Sequence, residues 1–318
     1  VILVTGAAGF IGYHLVDALC ARGEQVVGID NINEYYDPAL KLARLARLER
    51  HRAAGQFTFE KLDLCDYDGL RKLFAGRKID RICHLAAQAG VRYSLTAPFA
   101  YQKSNNEGFL NIIECARHGG AKNFVYASSS SVYGSNTKLP FSEDDRTDTP
   151  LSLYAATKKA NELVAHCYSS LYGLNCSGLR FFTVYGPWGR PDMALFIFTK
   201  AIIAGETIDV YNNGRMKRNF TYIDDIVRGA MIALDNPVRC EVYNLGNNRA
   251  EELMDFIGEI ELNAGRKAVM KFLPMQQGDV VATVADISKI ARLGYAPTTN
   301  IDTGIRAFVK WYREYYRC

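Results

Sequence analysis

Short apolar runs alternate with longer amphipathic stretches through the first half of the chain. The runs Ile2–Thr5, Gln25–Ile29, Thr58–Lys61, Arg81–Leu85, Asn123–Ala127 and Asn175–Phe181 are bounded by polar residues or glycine. Strands covered on both faces read this way. Between them, apolar residues recur at helical spacing over about 11–22, 67–75, 99–118 and 153–171. Alternation of this kind predicts βαβ units and a parallel sheet. The expected fold is therefore α/β: a doubly wound parallel-sheet (Rossmann) domain over residues 1–180, and a smaller α/β substrate domain over 181–318. After residue 181 loop signals cluster, at Gly186-Pro187-Trp188-Gly189-Arg190-Pro191 and Asn212-Asn213-Gly214. The chain is expected to cross back into the first sheet near Glu241–Leu245.

The segment 38–52 carries Leu42, Leu45 and Leu48 on one helical face and arginines on the others. A membrane-surface helix fits that pattern. A solvated helix packed on the sheet's edge fits it better, because so few leucines make one buried stripe.

Composition adds little. Charged residues are 23% and hydrophobic residues 48%, ordinary for a globular enzyme. A net charge of +4 is too small and too dispersed to argue for nucleic acid. Eight cysteines lie scattered without a C-x-x-C pair, which argues against zinc and for a reducing, cytoplasmic setting. No metal site is expected. No run reaches the roughly 20 apolar residues of a membrane helix, and no signal-peptide pattern is read. The chain opens on a strand without Met, as a trimmed piece of a longer protein would.

Chemistry enters at the first turn. Gly6-Ala-Ala-Gly9-Phe10-Ile11-Gly12 follows an apolar strand and opens an amphipathic helix. Glycines in this pattern allow a tight turn, close approach to a pyrophosphate and helix–strand packing, and the helix N-terminus offers free N–H groups to the phosphates. Asp30 ends the next strand, where a carboxylate takes ribose hydroxyls and repels a 2′-phosphate, so NAD is favoured over NADP. Asp63 and Leu64 follow the third strand within reach of adenine, although Asp63 reads equally well as a helix N-cap. Leu85, Ala86 and Ala87 leave room for the cofactor. Downstream, Tyr154 and Lys158 stand one helical turn apart on one face. An ammonium beside a phenol favours the phenolate and makes a usable base. Alone, that pair is a common surface pattern.

Together the motifs resemble the extended short-chain dehydrogenase/reductase family from end to end. The general marks are Gly6-x-x-Gly9-x-x-Gly12, His84-Leu-Ala-Ala87, Asn105-x-x-Gly108, Ser128-Ser-Ser-Ser-Val-Tyr-Gly134, Tyr154-x-x-x-Lys158 and Arg218-Asn-Phe-Thr-Tyr-Ile-Asp-Asp225. Three further stretches, 88–94, 152–158 and 181–193, are similar to the UDP-glucuronate 4-epimerases within it. The resemblance implies that Tyr154 is the base. Lys158 holds the nicotinamide ribose and lowers the Tyr pKa, Ser129 bonds the reacting O4, and Asn105 helps fix the nicotinamide end. It also implies that Arg218 binds the UDP diphosphate and that the chain pairs as a homodimer through the helices near 99–118 and 153–171. Related epimerases often carry an arginine before the later Gly-Asp, where this chain has Gln276-Gln277-Gly278-Asp279.

Sugar-nucleotide dehydratases place acidic residues after Ser129, and UDP-glucuronate decarboxylases carry Glu at the position of Ser131. Here Ser130 and Ser131 are hydroxyls, which suit a carboxylate. The expected reaction is 4-epimerisation of UDP-glucuronate to UDP-galacturonate through a transient 4-keto uronate, retained without loss of CO₂. Ser130, Ser131, Thr183 and Arg190, with Arg92, are the candidate carboxylate clamp. For Arg190 a diphosphate contact or loop anchor competes evenly, and a four-serine run is also a common strand-end turn. Uridine is expected under Leu195–Phe198, a stretch that also reads as core. His14, His84 and His166 read as packed residues. The alternatives are a UDP-glucuronate decarboxylase, a neutral UDP-hexose 4-epimerase, or an NAD-sensing protein on the same fold.

Overall fold

The computed structural model describes residues 1–275 and 280–318. The apolar runs become β1 (Ile2–Thr5), β2 (Val26–Asp30), β3 (Phe57–Lys61), β4 (Arg81–His84), β5 (Asn123–Ser129) and β6 (Cys176–Phe181). With the strand Cys240–Leu245 they form one parallel sheet, in the order Cys240–Leu245, β6, β5, β4, β1, β2, β3. The chain thus returns to the main sheet after residue 181, at the predicted place. Strand order reverses between β1 and β4. In open α/β sheets that reversal opens a crevice at the strands' carboxyl ends.

Helices cover both faces because both are apolar. On one side α1 (Phe10–Ala21) and the helix Ile223–Asp235 bury Leu15, Leu19, Ile226 and Ala230 against Val4 and Val125. On the other, α4 (Tyr67–Ala75) and the helix Gly108–His118 bury Leu70, Leu73, Ile112 and Ile113 against Leu3 and Ile82. A further core joins the helices Ala194–Ala204, Leu253–Ala264 and Ile301–Tyr316. Leu195, Phe196 and Phe198 lie buried within it. Among the described residues no helix is long and apolar enough to cross a membrane.

Two helices differ from expectation. The stretch 99–118 is helical, but Gln102–Glu107 is wound as a π-helix between Pro98–Tyr101 and Gly108–His118. Such widened turns are frequent at functional sites, and this one carries Asn105. Residues 38–53 form α2 (Pro38–Arg47) and α3 (Glu49–Ala53). Their buried face is Leu40, Arg44 and Leu48, while Leu42 is 55% exposed. Of the leucine stripe, Leu48 is buried and Leu45 packs against the core, but Leu42 turns outward because the Arg44 guanidinium goes inward to a set of backbone carbonyls. His166 is also not packed: it is exposed, beside Cys240 Sγ.

Candidate active site

The carboxyl ends of the strands line a cleft of about 490 Å³. Its floor is the glycine turn. Gly6 has φ +71°, and a Cβ there would sit 2.8 Å from Ala86 N, while one at Gly12 would sit 2.0 Å from Gly6 O. Backbone this close to the cleft is the cradle a pyrophosphate needs. Gly9, Phe10 and Ile11 line the same floor. Asp30 is buried at the end of β2, its carboxylate accepting from Ala8 N (3.2 Å) and Ile32 N (2.8 Å). Lys41 Nζ stands 3.6 Å away. Asp63 lines the cleft, accepting from Asn31 Nδ2 and Cys65 N (both 2.9 Å); the cap of α4 is Asp66 instead. Leu64, Leu85, Ala86 and Ala87 complete this half. Thr5 Oγ1 accepts from both Leu85 N and Ala86 N, which fixes the turn after β4.

The other half is built on the helix Leu153–Tyr172. Ser152 caps it by accepting from Ala155 N at 3.1 Å, so Tyr154 falls in its first turn, inside the cleft. Ser129 ends β5 and accepts from Ser131 N at 3.1 Å, starting a short 3₁₀ turn. The serine run is thus both a strand-end turn and a wall of the cleft, where Ser129, Ser130 and Ser131 face Tyr154, Lys158, Thr183 and Arg190.

Burial pushes the Tyr154 phenol up. A hydrogen bond with Ser129 and the Arg190 charge pull against burial without cancelling it. Lys158 is buried as well. Its Nζ donates to Ala127 O at 2.9 Å, and burial draws its pKa down to about 8.

Asn105 does not line the cleft. It is buried behind it, donating to Gln88 O (3.0 Å) and Thr157 Oγ1 (3.0 Å) and accepting from Gln88 N (2.8 Å). It therefore shapes the loop after β4. Arg92 and Arg218 also stand outside the lining. Arg92 packs its guanidinium 5.3 Å over the Tyr211 ring, and Arg218 donates to Val281 O. Residues 276–279, including the glutamine that replaces the expected arginine, fall outside the described residues.

Sequence reasoning missed a supporting layer. Glu162 continues the Tyr154–Lys158 face by one more turn. It accepts from Ser128 Oγ (2.7 Å) and pairs bidentately with buried Arg180 (2.8 and 2.9 Å), which in turn donates to Tyr133. Arg44 donates to Ala8 O in the glycine turn and to Trp188 O in the loop before Arg190. The i+4 spacing from Lys158 was the available signal for Glu162; nothing local marks Arg44.

A model of the NAD dependent epimerase/dehydratase family matches residues 2–246. The chain belongs to that family. The epimerase/dehydratase family is NAD-dependent, in line with the Asp30 carboxylate and the glycine cradle. The chain is 50% identical to UDP-glucuronate 4-epimerase 4 of Arabidopsis thaliana, covering 99% of this chain and 76% of that one. It is 36% identical to the solved UDP-glucuronic acid 4-epimerase of Bacillus cereus in complex with UDP-glucuronic acid and NAD, with a TM-score of 0.92 and 99% of each chain covered. The UDP-glucose 4-epimerase of Thermotoga maritima is more distant, at 28% identity and a TM-score of 0.89 over 99% of each chain.

Proposed function

We propose that this chain interconverts UDP-glucuronate and UDP-galacturonate by inverting C4. The observation that carries the reading is one cleft holding both a half-buried Tyr154 paired with Ser129 and an Arg190 guanidinium with three hydroxyls, Ser130, Ser131 and Thr183. The first pair handles the proton of a sugar hydroxyl; the second set suits a sugar carboxylate. Similarity to UDP-glucuronate 4-epimerases over nearly the whole chain supports it.

Gly6, Gly9, Phe10, Ile11, Gly12, Asp30, Asp63, Leu64 and Leu85–Ala87 would hold NAD, with Lys158 at the nicotinamide ribose. Bound there, NAD supplies a reversible hydride acceptor and a positive ring. Tyr154 takes the O4 proton as C4 is oxidised and returns it after the opposite face of the ketone is presented. Ser129 holds O4 in line throughout. Arg190, Thr183, Ser130 and Ser131 bind the carboxylate and hold the C5–C6 bond away from the perpendicular to the C4 carbonyl, which suppresses loss of CO₂. The diphosphate contact of Arg218 rests on the resemblance alone.

Residues 1–180 would form the cofactor domain and 181–318 the substrate domain, apart from the returning strand Cys240–Leu245. A homodimer through the helices at 98–118 and 153–172 is supported by exposed Phe99, Leu110, Leu163 and Leu171. Eight cysteines without a disulfide support a cytoplasmic setting.

The test is incubation with UDP-glucuronate, first without and then with added NAD, and NMR of the products. UDP-galacturonate is expected. UDP-pentose as sole product would mean a decarboxylase, preference for UDP-glucose a neutral hexose epimerase, and no turnover a sensor.

A further inference from the structure

Arg190 is not a solitary cation in the cleft. Its Nε donates to Asp192 Oδ1 at 2.9 Å and its Nη2 to Asp192 Oδ2 at 2.6 Å. Asp192 Oδ2 also accepts from the Tyr35 hydroxyl at 3.1 Å. Tyr35 comes from a different part of the chain, the loop after Asp30, and it lines the cleft as Arg190 does. The junction is tight. Gly90, at φ +104°, passes so close that a Cβ would meet Tyr35 Oη at 2.9 Å and Asp192 Oδ2 at 3.8 Å. Tyr35 leans on Tyr93 (ring centroids 4.9 Å apart) and Tyr101, which follows, meets Tyr154 edge-on at 6.0 Å. Burial first, and then Asp192, pushes the Tyr35 hydroxyl up to about 12, so it remains a proton donor at neutral pH.

A guanidinium is a planar fork with two usable edges. Here the side edge, Nε with one proton of Nη2, is taken by Asp192. The end edge remains, and among the described residues Nη1 has no hydrogen-bond partner. Asp192 fixes the plane of the fork, and Tyr35 fixes Asp192. The arrangement costs attraction, since a carboxylate already half-neutralises the cation that must receive a second one. An arginine kept only for its charge would be better without Asp192. One kept for its orientation would need it.

We propose that Tyr35 and Asp192 are positioning residues that set the Arg190 end edge against the sugar carboxylate, and so determine how often the keto intermediate loses CO₂. The inference rests on the epimerase reading above. In the side reaction the C5–C6 bond breaks, its electron pair passes into the C4 carbonyl as an enolate, CO₂ leaves, and C5 takes a proton from water. Return of the hydride to C4 then gives a UDP-pentose. The side reaction is rare only while the carboxylate is held near the carbonyl plane. Loosening the fork raises it without touching Tyr154.

The experiment compares Tyr35→Phe and Asp192→Asn with the wild type. UDP-galacturonate and UDP-pentose formed from UDP-glucuronate are measured by NMR at early conversion. Their ratio within one sample does not depend on how much protein is folded. Tyr35→Phe leaves every charge in place and removes one hydrogen bond, so the pentose fraction should rise about fivefold. Asp192→Asn should raise it further while lowering KM for UDP-glucuronate, because the cation is then uncompensated. A purely structural role would lower turnover and leave the ratio alone. A wild-type ratio in Tyr35→Phe, with normal epimerisation, overturns the proposal. Absence of epimerisation in the wild type overturns the underlying reading instead.

Discussion

Lys158 offers the sharpest test of the electrostatics. Its ammonium is buried and donates to one backbone carbonyl, Ala127 O, at 2.9 Å, and burial lowers its pKa from 10.5 to about 8. At about 1.4 kcal/mol per tenfold, keeping it in the fold costs about 3 kcal/mol. The folded state binds fewer protons than the unfolded one between pH 8 and 10.5. The cost is therefore full below pH 8, fades as pH rises, and is about 1 kcal/mol at pH 10. Lys158→Met keeps the packing and removes the charge, at a loss of about 1 kcal/mol for the bond to Ala127 O. With cofactor stripped from both proteins, the variant should be about 2 kcal/mol more stable than the wild type at pH 7 and about equal to it at pH 10. Urea unfolding at both pH values reads the difference, and turnover of the variant should be nearly abolished. A variant less stable at pH 7, or a gap that does not narrow by pH 10, would refute the reasoning.

Tyr154→Phe should lower kcat by on the order of a hundredfold or more while NAD binding, followed by fluorescence, stays near wild type. Glu162→Ala leaves the Arg180 guanidinium buried without its carboxylate, and should lower the stability read by urea unfolding by about 3–5 kcal/mol. Arg44→Met strips donors from Ala8 O and Trp188 O. It should weaken NAD by on the order of tenfold, measured by titration of stripped protein; unchanged affinity would remove Arg44 from the cofactor site.

Much of the fold was legible because a sheet covered on both faces leaves an unambiguous trace: β1, β2 and β5 are largely apolar and buried throughout, and the structure places their ends within two residues of expectation. The floor of the cleft was legible for a related reason, since glycines at 6, 9 and 12 have few other uses after a strand. Residues acting at long range were not. Asp192 reads as an ordinary loop acid until Tyr35, far earlier in the chain, is brought to it. Arg44 reads as surface because helical periodicity counts leucines, and cannot register a cation drawn inward by distant carbonyls. Asn105 matched a family pattern, yet its side chain meets backbone and Thr157 rather than the cleft. A motif conveys position; which neighbour a side chain meets there depends on the π-helical turn beneath it.

The Arg44 guanidinium rivets the glycine turn to the loop that leads into Arg190. Neither can swing aside while the rivet holds. For a catalyst that exchanged its coenzyme on every cycle, such a fastening would be a handicap. For one that ends each cycle with the coenzyme as it began, the fastening lets a single molecule serve as a permanent tenant while only the sugars come and go.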